Sequence, residues 1–186
     1  EPEPSRGRGP PRLTVAAVMR ILFLRCYTAR LRFVEAVHAD LPPPCTWNEV
    51  CAYCQKPSVE ITEKTEEFTA PITVFGACNM AFLSQDANIG PFTHMSDGLI
   101  DVMMLKDVSR THLFSLFTNM ERSNTFIDNP NIIYKKVKEV TLEPQGDMKG
   151  CYGLDGERVA ESGQPVTLRA LKGAICVFVP PHVQEG

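Results

Sequence analysis

The sequence predicts an α+β domain that is mainly β, an antiparallel β-sandwich or barrel-like arrangement with two or so helices. Three observations carry this. Short apolar segments recur between turn signals, as in sandwiches and barrels. Only residues 13–30 and 109–121 have helical character. No strand–helix–strand alternation appears, which argues against a doubly wound nucleotide fold within these residues. The 186 residues are 44% hydrophobic and 22% charged, enough for one domain whose core needs neither disulfide nor metal.

Residues 1–12 (EPEPSRGRGPPR) lack apolar periodicity and read as a linker or disordered arm before a domain spanning 13–181; residues 182–186 are a tail. Residues 13–30 (LTVAAVMRILFLRCYTAR) contain no Gly or Pro and read as a helix. From Leu13 to Tyr27 its only polar residues are Thr14, Arg20 and Arg25, so it is apolar nearly all round and must bury two faces or show one to a lipid or partner. Arg20 interrupts the run and no small-residue cleavage site follows, so it does not read as a signal peptide. No run reaches the roughly 18 apolar residues of a spanning helix.

Leu31 to Val37 alternate as a strand. Residues 40–57 form a loop rich in Pro and Cys. Val59 and Ile61 suggest a short strand, and 68–78 (FTAPITVFGAC) a more buried one. Asn79 to Ser96 reads as a loop, Asp97-Gly98 as a turn, and Leu99 to Leu105 as the next strand. In 109–121, Ser109 can cap a helix whose Leu113, Leu116, Phe117 and Met120 form one stripe. Asn129-Pro130 breaks the chain. Residues 131–143 (NIIYKKVKEVTLE) predict an antiparallel strand with a lysine-rich wet face. Gly150 to Leu154, a turn at Asp155-Gly156, and strands at 166–171 and 174–179 complete the pattern.

Net charge is −3, so no global basic field points to nucleic acid. The cysteine count is odd, at seven, and Cys26, Cys78 and Cys176 sit in apolar runs, which reads as a reduced intracellular chain with buried thiols. The first residue is Glu1, not Met, and the chain reads as part of a longer protein.

Cys45, Cys51 and Cys54, with His38 upstream, have zinc-like spacing, but a structural site needs four ligands and no second C-x2-C pair exists. Loop cysteines without metal are the simpler reading. Asp155-Gly156-Glu157 puts two carboxylates at a turn, where they can face one magnesium ion. On spacing alone a plain hairpin with solvated acids is favoured. Asp101, among apolar neighbours, is either solvent-facing or satisfied by a partner. The stripe on 109–121, with Met103 and Met104, is first of all core, although methionine-rich surfaces also suit aliphatic ligands. His94 and His112 are lone histidines. No Gly-rich phosphate loop, G-x-S-x-G or H-E-x-x-H is present, so no complete catalytic set is visible.

Taken in order, RLTVAAVMRILFLRCYTARLRFVEA, GPFTHMSDGLIDVMML, DVSRTHLFSLFTNMERS, VKEVTLEP, GLDGE and VFVPP resemble the diacylglycerol, sphingosine and ceramide kinase superfamily of lipid kinases, and within it the sphingosine kinases. The resemblance runs over roughly residues 12–181. It implies the C-terminal, lipid-holding domain of a two-domain enzyme that uses ATP and Mg2+ to phosphorylate a sphingoid base. The N-terminal domain, with its G-G-D-G-T-type loop and catalytic aspartate, lies outside this sequence. The chain alone is therefore expected to bind neither cofactor nor to catalyse. By position, Asp155 and Glu157 correspond to the acidic pair that closes on the nucleotide through magnesium, with Asp155 reaching the metal. Arg12 corresponds to a phosphate-contacting arginine, here preceded by a Gly/Pro-rich stretch that departs from the pattern. Leu13, Met103, Leu113, Leu116, Phe117 and Met120 fall on the acyl-chain pocket, and Val15, Val18 and Met19 on a lid face that meets membranes. Thr125 stands where some members carry a histidine. The implied enzyme is cytoplasmic and peripherally membrane-associated, its partners being a long-chain lipid, the bilayer surface and its own N-terminal domain. A diacylglycerol or ceramide kinase, or a non-catalytic lipid-binding or interaction module, is the alternative.

Overall fold

A computed structural model describes residues 21–37, 62–84, 87–120, 127–146, 152–155, 157–160 and 163–174. They contain strands β1 (Tyr27–Val37), β2 (Thr62–Cys78), β3 (Phe82–Ser84), β4 (Ala87–Asn88) and β5 (Ile100–Lys106), helix α1 (Arg110–Met120), and strands β6 (Ile132–Pro144), β7 (Tyr152–Leu154), β8 (Glu157–Ala160) and β9 (Val166–Arg169). The architecture is mainly β and antiparallel, as the alternation predicts.

Four strands form a closed circuit. The first half of β2 pairs with β1 from Thr62↔Val37 to Ile72↔Tyr27. A bulge between Ile72 and Val74 turns β2, and its second half pairs with β5. β5 pairs with the start of β6, from Ile100↔Val137 to Leu105↔Ile132. β6 then carries an extra residue at Lys138, because Val34 faces Glu139 while Glu35 faces Val137. Beyond that bulge β6 pairs with β1, closing the ring, and its opposite edge receives β9.

The interior of this ring is the main core. Ala29, Leu31 and Phe33 of β1, Ile72 of β2, Ile100, Val102 and Met104 of β5, and Val137 and Val140 of β6 pack together. On β1 the intervening Thr28, Arg30 and Arg32 are exposed, the period-two signature of a half-buried strand. Val137 and Val140 are three apart yet both point inward, because the bulged Lys138 restores the phase. Burying each such aliphatic side chain contributes about 1.5–3 kcal/mol.

β5 is buried on both faces, which explains its continuous apolar run. Its outward Met103 and Leu105 are covered by α1 through Leu113 and Leu116, with Val108 at the join. Ser109 caps α1: its Oγ accepts from the His112 N–H at 3.3 Å and its carbonyl from the Leu113 N–H at 2.9 Å.

Five expectations need correction. Asn79 to Ser96 is not all loop, since β3 and β4 pair within it. Residues 27–30 are strand, since Ala29 and Leu31 must point into the ring; the helical turn before them ends at residues 22–23. Residues 62–67 (TEKTEE) belong to β2 despite their polarity: Glu67 meets Arg30 on the adjacent β1, and Glu66 meets Lys135 on β6. The face of β6 is not wet at Lys135 and Lys136, which lie on opposite faces and are both withdrawn from solvent. Cys26 is exposed, unlike the partly buried Cys78. The proposed strands at Val59–Ile61 and 175–179, and the cysteine loop with His38, Cys45, Cys51 and Cys54, lie outside the described residues.

Candidate functional site

Two groups of predicted residues can be located. The first is the apolar layer under α1. Met103 comes from β5, and Leu113 and Leu116 from one face of the helix, so a strand of period two and a helix of period 3.6 bring them together. Leu105 and Val108 complete the buried cluster, and Ile21, Leu24, Val74, Ile89, Ile127, Ile132 and Tyr134 pack around it. Sequence reading missed those last seven because they come from five separate segments. The Arg110 Nε donates to the Leu22 carbonyl at 3.0 Å, tying the segment that enters β1 to the start of α1. Phe117 and Met120 belong to the last turns of α1. Arg12, Leu13, Val15, Val18, Met19 and Thr125 lie outside the described residues.

The second group is the β7–β8 hairpin. Leu154 pairs with Glu157, and Asp155 opens the tight turn between them. Asp155 has φ 50°, the left-handed region that a two-residue hairpin turn requires and that Asp tolerates better than most residues. Asp155 and Glu157 are both exposed. The Tyr152 hydroxyl donates to the Gln164 carbonyl at 2.9 Å and ties the hairpin to the approach to β9.

A third group was only half anticipated. Asp101 is buried and satisfied by a partner: Lys136 Nζ lies 3.0 Å from each of its carboxylate oxygens. The same ammonium is 3.0 Å from Asp97 Oδ2 and donates to the Phe92 carbonyl at 2.9 Å. Strand register makes the pair, since Asp101 faces Lys136 across β5 and β6. Asp97 arrives through the predicted turn: its Oδ1 accepts from the Leu99 N–H at 2.8 Å, and Gly98 takes φ 76°. Burial pushes the Asp101 carboxyl above the usual range, and the nearby ammonium only partly opposes this. Burial, then the Asp101 charge, lifts the neighbouring Cys78 thiol to about 11. The Tyr134 hydroxyl is pushed up by the same causes in the same order. The loop above comes so close that a side chain at Gly90 would collide with Thr93 Oγ1 and Cys78 Sγ, so only glycine fits there. Strand alternation could have placed Lys136 opposite Asp101 once the β5–β6 register was known. That register is not a property of either strand alone.

Chemically, the layer under α1 is a packed apolar cluster of leucine, methionine and valine, and the hairpin presents two exposed carboxylates. The buried ion cluster is closed to solvent and builds the wall between loop 88–99 and the sheet.

Comparison with known proteins gives the same architecture a family. The chain is 28% identical to sphingosine kinase 2 of Arabidopsis thaliana over 179 residues, covering 86% of this chain and 36% of the plant protein. It is 26% identical over 175 residues to sphingosine kinase 1 of the same plant, with the same coverage. Against sphingosine kinase B of Dictyostelium discoideum it is 33% identical over 85 residues, 45% of this chain and 11% of that protein. The chain thus spans about a third of the length of the plant relatives. Residues 46–179, most of the chain and all of the strands from β2 to β9, match the YegS C-terminal NAD kinase beta sandwich-like domain, and the chain belongs to that family.

Proposed function

We propose that this domain is the lipid-holding and nucleotide-closing C-terminal part of an ATP-dependent lipid kinase, and that its substrate is a sphingoid base phosphorylated on a hydroxyl, sphingosine to sphingosine 1-phosphate. The observation that carries the reading is the meeting of Met103, Leu113 and Leu116 in one apolar layer. Matches over 86% of the chain to proteins named sphingosine kinases support it.

An alkyl chain offers no directional contacts, so its site needs apolar, adaptable walls, which leucine and methionine provide. Each buried methylene contributes about 0.8 kcal/mol. That burial anchors the tail and places the headgroup hydroxyl in line for phosphoryl transfer, so positioning is this domain's main contribution. By the family resemblance, Leu13, Phe117 and Met120 are proposed for the same acyl-chain wall, and Val15, Val18 and Met19 for a lid face toward the bilayer.

Asp155 and Glu157 would hold the Mg2+ of bound ATP, with Arg12 toward its phosphates. Their chemistry fits: magnesium is held by one or two carboxylates together with phosphates and water, and here one exposed acid lies in the tight turn and another at the start of β8. Among the described residues no group of three or more His, Cys, Asp or Glu forms a closed metal site. When bound, the metal neutralises charge developing on the transferred phosphoryl group. No catalytic base is assigned in this chain; an N-terminal domain supplies it together with the ATP loop. Because the substrate lives in a bilayer, the intact enzyme works from the cytoplasm as a peripheral membrane protein. No helix among the described residues is long and apolar enough to cross a membrane.

The test is phosphorylation by the intact protein of sphingosine, ceramide and diacylglycerol side by side. Sphingosine is the expected product-former. Turnover of diacylglycerol or ceramide alone would reassign the substrate, and lipid binding without turnover of any would make the domain a non-catalytic module.

A further inference from the structure

The outward face of β5 carries Asp101, Met103 and Leu105, and the facing residues of β6 are Lys136, Tyr134 and Ile132. Along one strand face, a buried ion cluster gives way to the apolar layer within about 7 Å. Tyr134 stands at the junction. Its side chain packs against the Met103–Leu113–Leu116 layer, and its hydroxyl lies near Asp101 and Cys78. Phe92 covers the junction from loop 88–99. Its ring meets that of Tyr134 edge-on, with centroids 5.7 Å apart and planes at 77°. Its carbonyl is fixed by Lys136 Nζ, which also holds Asp101 and Asp97. One ammonium therefore pairs with two buried carboxylates and fixes where the Phe92 backbone stands.

We propose that Phe92 and Tyr134 form the closed end of the alkyl-chain site, with Lys136 as the positioning residue that holds it, so that this end sets the longest chain accepted. The proposal rests on the lipid-kinase reading above and adds its chain-length determinant. A tail passing Met103 meets a flexible thioether that can repack. A tail reaching Phe92 meets a ring whose backbone is tied to a buried charge, and moving it breaks a charge-assisted hydrogen bond. The side wall gives and the end wall does not.

The experiment measures kcat and KM of the intact protein on sphingoid bases of increasing chain length. The proteins compared are the wild type, Phe92→Ala and the double variant Asp101→Asn with Lys136→Met, which removes the ion pair without leaving a lone ammonium. In the wild type KM falls with each added methylene up to a limit and rises beyond it. Phe92→Ala is expected to lower KM for a base two methylenes past that limit by about tenfold and so to move the limit to longer chains. The double variant is expected to blur the limit and to raise amide hydrogen exchange in residues 88–99 selectively. If the double variant does not fold, Phe92→Ala decides alone. An active enzyme whose limit is the same in Phe92→Ala as in the wild type overturns this inference and leaves the kinase reading standing. A wild type that phosphorylates no sphingoid base of any length overturns both.

Discussion

Replacing Lys136 by methionine isolates the energetics of the buried ion cluster. Side-chain exposure is 1% for Lys136 and Asp101 and 6% for Asp97, so water screens these charges poorly. One ammonium and two carboxylates sum to −1; with methionine the same volume holds −2. Removing one partner of a buried pair costs about 3–5 kcal/mol. Against a total stability of about 5–15 kcal/mol, that is about a fifth of the fold's margin or more. Asp101→Asn should cost less, since it leaves Lys136 paired with Asp97 at zero net charge. The double variant should therefore be more stable than Lys136→Met alone, a coupling that independent sites would not show. The fold raises the Asp101 carboxyl, so the folded state favours its protonated form. Its contribution is most favourable below the ordinary carboxylate range and is lost as pH rises through the raised value. Without Lys136 the raise grows, so the deficit of Lys136→Met relative to wild type should shrink as pH falls from about 8 to about 5. Urea unfolding followed by far-ultraviolet circular dichroism at three pH values measures this. A deficit that is negligible at neutral pH, or one that widens toward acid, would refute the reasoning.

Three further outcomes are expected. Asp155→Asn, which keeps a residue tolerant of the left-handed turn while removing the charge, should lower phosphoryl transfer on the order of 100-fold with lipid affinity kept; equal loss of both would remove the assigned role. Leu116→Ala should destabilise the domain by about 2–5 kcal/mol, and Leu116→Gln should also weaken binding of an 18-carbon base, so unchanged affinity in a folded Leu116→Gln protein returns the layer to plain core. Tyr134→Phe should change stability by less than about 1 kcal/mol and leave chain-length preference alone, because the buried hydroxyl makes no well-formed hydrogen bond while the ring does the packing; a large loss would show that the hydroxyl is bonded after all.

Much of this protein was legible as pattern. Alternation from Leu31 through Phe33 marks a half-buried strand whatever it pairs with, since successive side chains must face opposite sides, although the strand's first residues, 27–30, were hidden in an apolar run of helical character. Ser109 before an apolar stripe at helical spacing marks α1, and Asp155-Gly156 between short strands marks a tight hairpin, because both depend on contacts within a few residues. The ordered resemblance to lipid kinases carried the candidate site residues, which no single motif would have done.

What tertiary structure alone decided are the contacts between distant segments. The sequence places LIDVMML on a buried strand but cannot say that Asp101 faces Lys136, 35 residues away. That depends on the register of β5 against β6, and a one-residue slip would put every side chain on the other face. The bulges at Ile72–Val74 and Lys138 close four strands into a ring, and neither leaves a compositional mark. Polar TEKTEE lies in a strand because cations on β1 and β6 meet it there. Short-range order follows from local sterics and periodicity, which a linear reading contains; a buried charge is stable only where the fold brings its partner, and that is a property of the assembled sheet.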